Sequence, residues 1–106
     1  MGVDHSHEKF YSALHYAVGN ADSLQGRLER VLICVDDLPR GSFPDDETWE
    51  RYETLMRKCA SRAATGSEGK FAATASQMSN DEAAKCLQKA FSIFTNIAES
   101  YARAKR

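Results

Sequence analysis

No stretch of this chain shows the sustained two-residue alternation of apolar and polar side chains that a half-buried strand needs, so no sheet is expected. No apolar run approaches the roughly 20 residues of a membrane-crossing helix, and the N-terminus lacks the apolar core of a secretory signal. Positive charge is not in excess either. A formal net charge of −1 argues against a general nucleic-acid binder, whose surface carries a basic excess or stripe, and leaves only a local basic patch open. Cysteine is sparse: Cys34, Cys59 and Cys86 are odd in number, far apart and in no CxxC pairing. Such usage argues against a disulfide framework and suits reduced thiols in a cytosolic protein, each acting as a small buried hydrophobe. A reactive thiol would need a histidine or a helix start beside it, and the sequence places neither there. Glycine-rich phosphate cradles, nucleophile elbows and triad-like clusters are missing as well.

What is present is the composition of a folded protein. With 106 residues, 42% hydrophobic and 27% charged, the chain has the size and balance of a single helical domain spanning 1–106. Its apolar residues recur at steps of three and four. The clearest seam is the last: Ala83, Leu87, Ala90, Phe94, Ile97 and Tyr101, widened by Cys86, Phe91, Ile93 and Ala98. Ahead of it, Ser79-Asn80-Asp81-Glu82 is a capping box, in which Ser79 caps the Glu82 backbone NH and the Glu82 carboxylate reaches back. The spacing predicts a helix over 80–104, the central and most buried of the set. Its basic tail, Arg103, Lys105 and Arg106, suits the negative pole of the helix dipole.

A second seam, Leu24, Leu28, Val31, Val35 and Leu38 with Leu32 beside it, predicts a helix over 22–38. Asp22 and Gln25 offer it a capping box, and Pro39 with Gly41 stops it. Trp49, Tyr52, Met56, Cys59 and Ala63, flanked by Leu55 and Ala60, predict a third helix over 45–64. Asp45, Asp46 and Glu47 favour its start and Arg57, Lys58 and Arg62 its end. That gradient is dipole chemistry, so the basic residues are no argument for an anionic partner. The first helix is expected over 7–18, with Phe10, Ala13, Leu14 and Ala17 inward and Gly19-Asn20 as its stop, leaving residues 1–6 flexible. Phe71 and Met78, in the long connection after Gly66, need cover and predict a short helical turn near 70–78. Similar seams in several helices, without an internal repeat, predict an all-α antiparallel four-helix bundle rather than a solenoid.

The stretch DHSHEKFYSALH, from Asp4 to His15, holds every histidine of the chain. HEKFY begins like the zinc-protease helix motif HExxH, but Tyr11 stands where the second imidazole must be. The next histidine after His7 is His15, and eight residues of helical rise set them about 12 Å apart, too far to share one ion. His5 and His7 with Asp4 would hold a metal only loosely, and no metal or other cofactor is expected. ALHYAVGNADSL, with His15 followed four residues later by Gly19, resembles the histidine phosphotransfer domain. That resemblance implies a four-helix bundle with His15 as an exposed phosphoacceptor. The lysine that this family places three residues after the histidine is Val18 here, so its charge and its donors to the phosphoryl group are missing.

MGVDHS fits the short N-myristoylation pattern through Gly2 and Ser6, with only Lys9 as a nearby basic residue. Asp36, Asp37, Asp45, Asp46 and Glu47 lack the alternation and central glycine of a calcium loop, and capping and solvation explain them. Gly26 and Ile33 lie nearly opposite the Leu24–Leu38 seam. A glycine inside a helix costs about 1 kcal/mol relative to alanine, and close approach by another helix, from within the chain or from a partner, would compensate it.

These features point to a small, non-catalytic, cytoplasmic interaction protein: an adaptor, regulator or assembly subunit. It is expected to bind a protein partner or a second copy of itself, with Gly26 and Ile33 as contacts and without nucleic acid or membrane. Phosphotransfer signalling through His15 is the alternative from another class. An N-myristoylated, membrane-associated or host-delivered factor is the second alternative.

Overall fold

The capping box at Ser79 forms as its residues dictate. In a computed structural model, which describes residues 2–19, 22–62 and 69–104, the Glu82 NH donates to Ser79 Oγ at 3.1 Å and the Ser79 NH to Glu82 Oε1 at 3.2 Å. Loss of the hydroxyl in Ser79→Ala should therefore cost about 1 kcal/mol, read as a fall of roughly 4–8 °C in thermal midpoint. An unchanged midpoint would mean that the cap adds nothing.

Five α-helices and one 3-10 turn make up the regular structure of the described residues, with no strand among them. In chain order they are α1 (Gly2–Gly19), α2 (Leu24–Val35), the 3-10 turn (Arg40–Ser42), α3 (Asp46–Cys59), α4 (Lys70–Ala75) and α5 (Asn80–Ala104). The longest, α5, packs against α1, α2 and α3, while α4 lies on α2 and α3. Ala83, Cys86, Ala90, Ile93 and Ile97 form the inward stripe of α5. Against it lie Phe10, Ala13, Leu14 and Ala17 of α1, Leu28, Val31, Leu32 and Val35 of α2, and Tyr52, Leu55 and Cys59 of α3. No helix of the described residues is long and apolar enough to cross a membrane.

Where the helices depart from the expected bounds, a partner distant in sequence is the cause. α2 stops at Val35, although its seam runs on to Leu38. Asp36 is extended and Asp37 takes a left-handed φ of 61°. The Tyr52 hydroxyl then donates to the Val35 carbonyl at 2.6 Å and accepts from the Leu38 NH at 3.1 Å. One phenol thus supplies the Val35 carbonyl with the donor that Pro39 lacks and pairs the Leu38 NH as well, and Leu38 is still buried. At the start of α2, Ser23 rather than Asp22 is the cap, accepting from the Gly26 NH at 3.1 Å. Gln25, expected in a capping box, instead donates to the Met78 carbonyl at 3.0 Å and to Asn80 Oδ1 at 3.1 Å.

α1 begins five residues earlier than the predicted 7–18, so residues 2–6 continue the helix instead of forming a flexible tail. Ser6 explains the extension: its buried hydroxyl donates to the Ser42 carbonyl at 2.5 Å and pins the first turns to the 3-10 turn. α3 starts as expected, with Asp45 accepting from the Thr48 NH at 2.8 Å, but ends at Cys59 rather than 64. Its end is fastened to α4, because the Arg62 NH donates to Thr74 Oγ1 at 3.0 Å. Ala63, the last member of the predicted seam, lies outside the described residues. The turn expected near 70–78 is the short helix α4, entered through Gly69, whose φ of 86° is unfavourable for any residue with a Cβ. Phe71 is covered there and Met78 half-covered.

Candidate functional site

Helix α1 has two apolar stripes. Phe10, Ala13, Leu14 and Ala17 face the core, and Tyr11, His15 and Val18, at steps of four and three, lie about 100° around the helix from them. The second stripe is not covered. Five large apolar side chains remain exposed among the described residues: Tyr11 (54%), Tyr16 (37%), Val18 (81%), Ile33 (51%) and Phe91 (55%). Three belong to α1, and the other two stand beside it on α2 and α5.

On the α5 side, Tyr11, Leu14, His15, Val18, Phe91 and Phe94 line a hollow of about 300 Å³. It continues past Leu14, Val18 and Phe91 into a second hollow of about 260 Å³ bordered by Ala17, Arg27, Leu87 and Gln88. The rings form a ladder along this seam. Centroids are 6.3 Å apart for Phe91 and Phe94, 6.4 Å for Phe94 and Tyr11, and 5.8 Å for Tyr11 and His15. The ladder extends through His7, 5.5 Å from Phe94 and stacked on Tyr101 at 4.1 Å. Phe91, expected inside the bundle, belongs to this outer seam because it follows Ala90, which faces inward, by one residue. On the α2 side, Ser12, Ala13, Tyr16, Arg30, Ile33 and Cys34 line a hollow of about 300 Å³, with the Arg30 guanidinium 5.6 Å above the Tyr16 ring.

The groove on the α5 side carries no carboxylate, and its one guanidinium, Arg27, donates from Nε to the Asp22 carbonyl at 2.8 Å. Apart from His15 and Arg27 its lining is accordingly apolar and aromatic, suited to burying surface. Elsewhere, burial pushes the Cys59 thiol up to about 12, with the neighbouring Cys86 adding to the rise, so it stays protonated at neutral pH and is a poor nucleophile. Hydrogen bonds from Thr48 hold the Asp45 carboxyl below its ordinary value, as a helix cap requires.

The residues singled out in the sequence fall in different places. Ile33 belongs to the exposed surface around α1, and Gly26 does not line these hollows. A Cβ at Gly26 would meet Asp22 Cβ and Ser23 Oγ at 3.4 Å, so the closest neighbours are the start of its own helix. Of the two compensations expected for this glycine, approach by another helix of the chain does not occur within 4 Å of that position, where the Ser23 cap lies instead. His15 is exposed in the aromatic groove, among Tyr11, Leu14, Val18, Gly19, Phe91 and Phe94, and none of these offers a cation to a phosphoryl group. Ser6 of the myristoylation pattern spends its hydroxyl on Ser42. Among the described residues no three His, Cys, Asp or Glu side chains converge as a metal site. The spacing of Tyr11, His15 and Val18 carries the signal of a second seam, which the single inward face expected for the first helix leaves out. What covers or leaves bare such a seam depends on the packing of α5.

Comparison with protein-family models, with curated proteins and with solved structures gives no match to this chain.

Proposed function

We propose that this chain is a non-catalytic interaction protein that binds through the outer surface of α1, and that the occupant of that surface is a second copy of the chain. In this reading α1, α2, α3 and α5 are the four members of a bundle and α4 caps it. The support is the gathering of every exposed large apolar side chain of the described residues on α1 or against it. Soluble monomers scatter such residues singly, and a contiguous patch marks a contact surface. The apolar character of the patch supports self-association: a two-fold dimer sets one patch against itself, so Val18 and Phe91 would meet apolar counterparts, while Arg27 is engaged by the Asp22 carbonyl and Arg30 lies over the Tyr16 ring. The free thiols Cys34, Cys59 and Cys86 fit a reducing compartment such as the cytoplasm.

Sedimentation equilibrium tests the proposal. The wild-type protein is expected to approach twice the chain mass with rising concentration. The double variant Val18→Asp/Phe91→Asp, which places unpaired charges in the contact, should weaken association at least about 30-fold, the scale of an interface hot spot. Because both side chains are more than half exposed in the single chain, its thermal midpoint should stay near that of the wild type when both are melted at a concentration where the wild type is monomeric. A wild-type protein that remains monomeric, or a double variant that dimerises equally well, would overturn the proposal.

A further inference from the structure

A separate cleft of about 360 Å³ opens between α3 and α5 and shares no residue with the α1 surface. Arg51, Thr54, Leu55 and Lys58 line it from one face of α3, and Lys89 and Ile93 from α5. Leu55 and Ile93 are buried to within 2% and form an apolar floor. Above that floor stand three cations and a hydroxyl. Its volume lies in the range of small-molecule sites, which combine apolar lining with a few convergent polar groups.

The ion pairs of the described residues are Arg40 with Asp46 and Lys70 with Asp36, and neither involves Arg51, Lys58 or Lys89. Lys58 lies in the last turn of α3, where the dipole favours a cation, but Arg51 and Lys89 lie well inside their helices, beyond the reach of a terminal dipole. Arg51 is held in place by hydrogen bonds to α5, to Ser92 Oγ and to the Asn96 side-chain oxygen at 3.0 Å, so it stands at the edge of the cleft as a fixed cation. Lys58 and Lys89 are exposed, so their mutual repulsion is screened by solvent, and an anion placed between them is attracted by both. The chain as a whole has a net charge of −1, so this concentration of positive charge is local.

We propose that the cleft binds a small phosphate monoester with an aromatic or compact apolar body. The dianionic head sits among Lys58, Lys89 and Arg51 with the Thr54 hydroxyl as a further donor, and the body lies on Leu55 and Ile93. A dianion matches three cations better than a single carboxylate, and the floor gives the ester group apolar surface that inorganic phosphate cannot use.

Phenyl phosphate is the probe, titrated into the full-length protein and followed by amide NMR shifts. Saturable shifts are expected at residues 51–58 and 89–93, with inorganic phosphate at least about tenfold weaker and benzyl alcohol weaker still. Lys58→Gln/Lys89→Gln and, separately, Arg51→Gln should each weaken phenyl phosphate about tenfold or more, with the dimer unchanged and the thermal midpoint lowered by no more than the roughly 1 kcal/mol of a lost dipole partner or helix–helix hydrogen bond. Shifts at Tyr11, Val18 and Phe91 instead, benzyl alcohol binding as well as phenyl phosphate, variants that bind like the wild type, or no shifts up to about 10 mM would each overturn it.

Discussion

Phe10→Ala is expected to destabilise the protein by about 3–5 kcal/mol, the usual cost of emptying a buried phenyl site. Phe10 is fully buried on the inward face of α1, and its ring meets the edge of Tyr52 at a centroid distance of 6.2 Å. Tyr52 in turn packs on Phe43 at 4.6 Å and on Trp49 at 5.6 Å, and Phe43 meets Trp49 at 5.2 Å. The cavity would open where α1 joins the aromatic cluster beneath the α2–α3 connection, which has little freedom to collapse because Ser6 and Tyr52 already fix its backbone. Since a domain of this size has roughly 5–15 kcal/mol of stability in all, the variant loses a large share of it. Urea denaturation should show a markedly lower midpoint. Tyr16→Ala, on the same helix but exposed, should lose no more than about 0.5 kcal/mol. Equal losses in the two variants would contradict the core and surface assignment of α1.

Alkali is expected to unfold the protein through two buried acids. Burial is the main cause that raises the Tyr52 phenol from 10.0 to about 12, and burial likewise raises the Cys59 thiol from 9.0 to about 12. Both groups hold their protons more tightly folded than unfolded. Their contribution is therefore complete below about pH 9 and is lost as the pH climbs through 9–12, with no effect at neutrality. The Tyr52 rise corresponds to stability on the order of 3 kcal/mol at most and the Cys59 rise to about 4 kcal/mol at most, and the two together are comparable with the stability of a small domain. Thermal melts at stepped pH should show the midpoint level to about pH 9 and falling steeply above it. Tyr52→Phe separates the two contributions. It should start about 1–3 kcal/mol less stable, because the Val35 carbonyl and Leu38 NH lose their partner, and then decline less steeply with pH. A midpoint that stays level through pH 11 would contradict the burial of both groups.

What could be read from the chain alone was whatever local chemistry decides. The Ser79–Glu82 box, the Asp45 cap and the inward residues of the first helix all stand where spacing put them. The failures have one physical origin, contacts between residues distant in sequence. Ser6 reaches Ser42 across 36 positions and draws the first helix back to Gly2, and Tyr52 reaches across 17 to end α2 before Leu38. Phe91 reads as core by period alone, because a wide seam does not reveal which edge its neighbours leave bare. Of the basic residues expected at the end of the third helix, Arg57 and Lys58 stand in its last turn and Arg62 lies beyond it. Only the packing of α5 on α3 adds Lys89 to Arg51 and Lys58 over a common floor.

The central claim, that the α1 surface is a contact between two copies, is tested most directly by amide hydrogen exchange at low and high protein concentration. The account predicts slower exchange at high concentration confined to 11–18 and 87–94, together with Ile33 and its neighbours, and loss of that concentration dependence in Val18→Asp/Phe91→Asp. Exchange that does not change with concentration, or that slows at 51–58 and leaves α1 untouched, would contradict it.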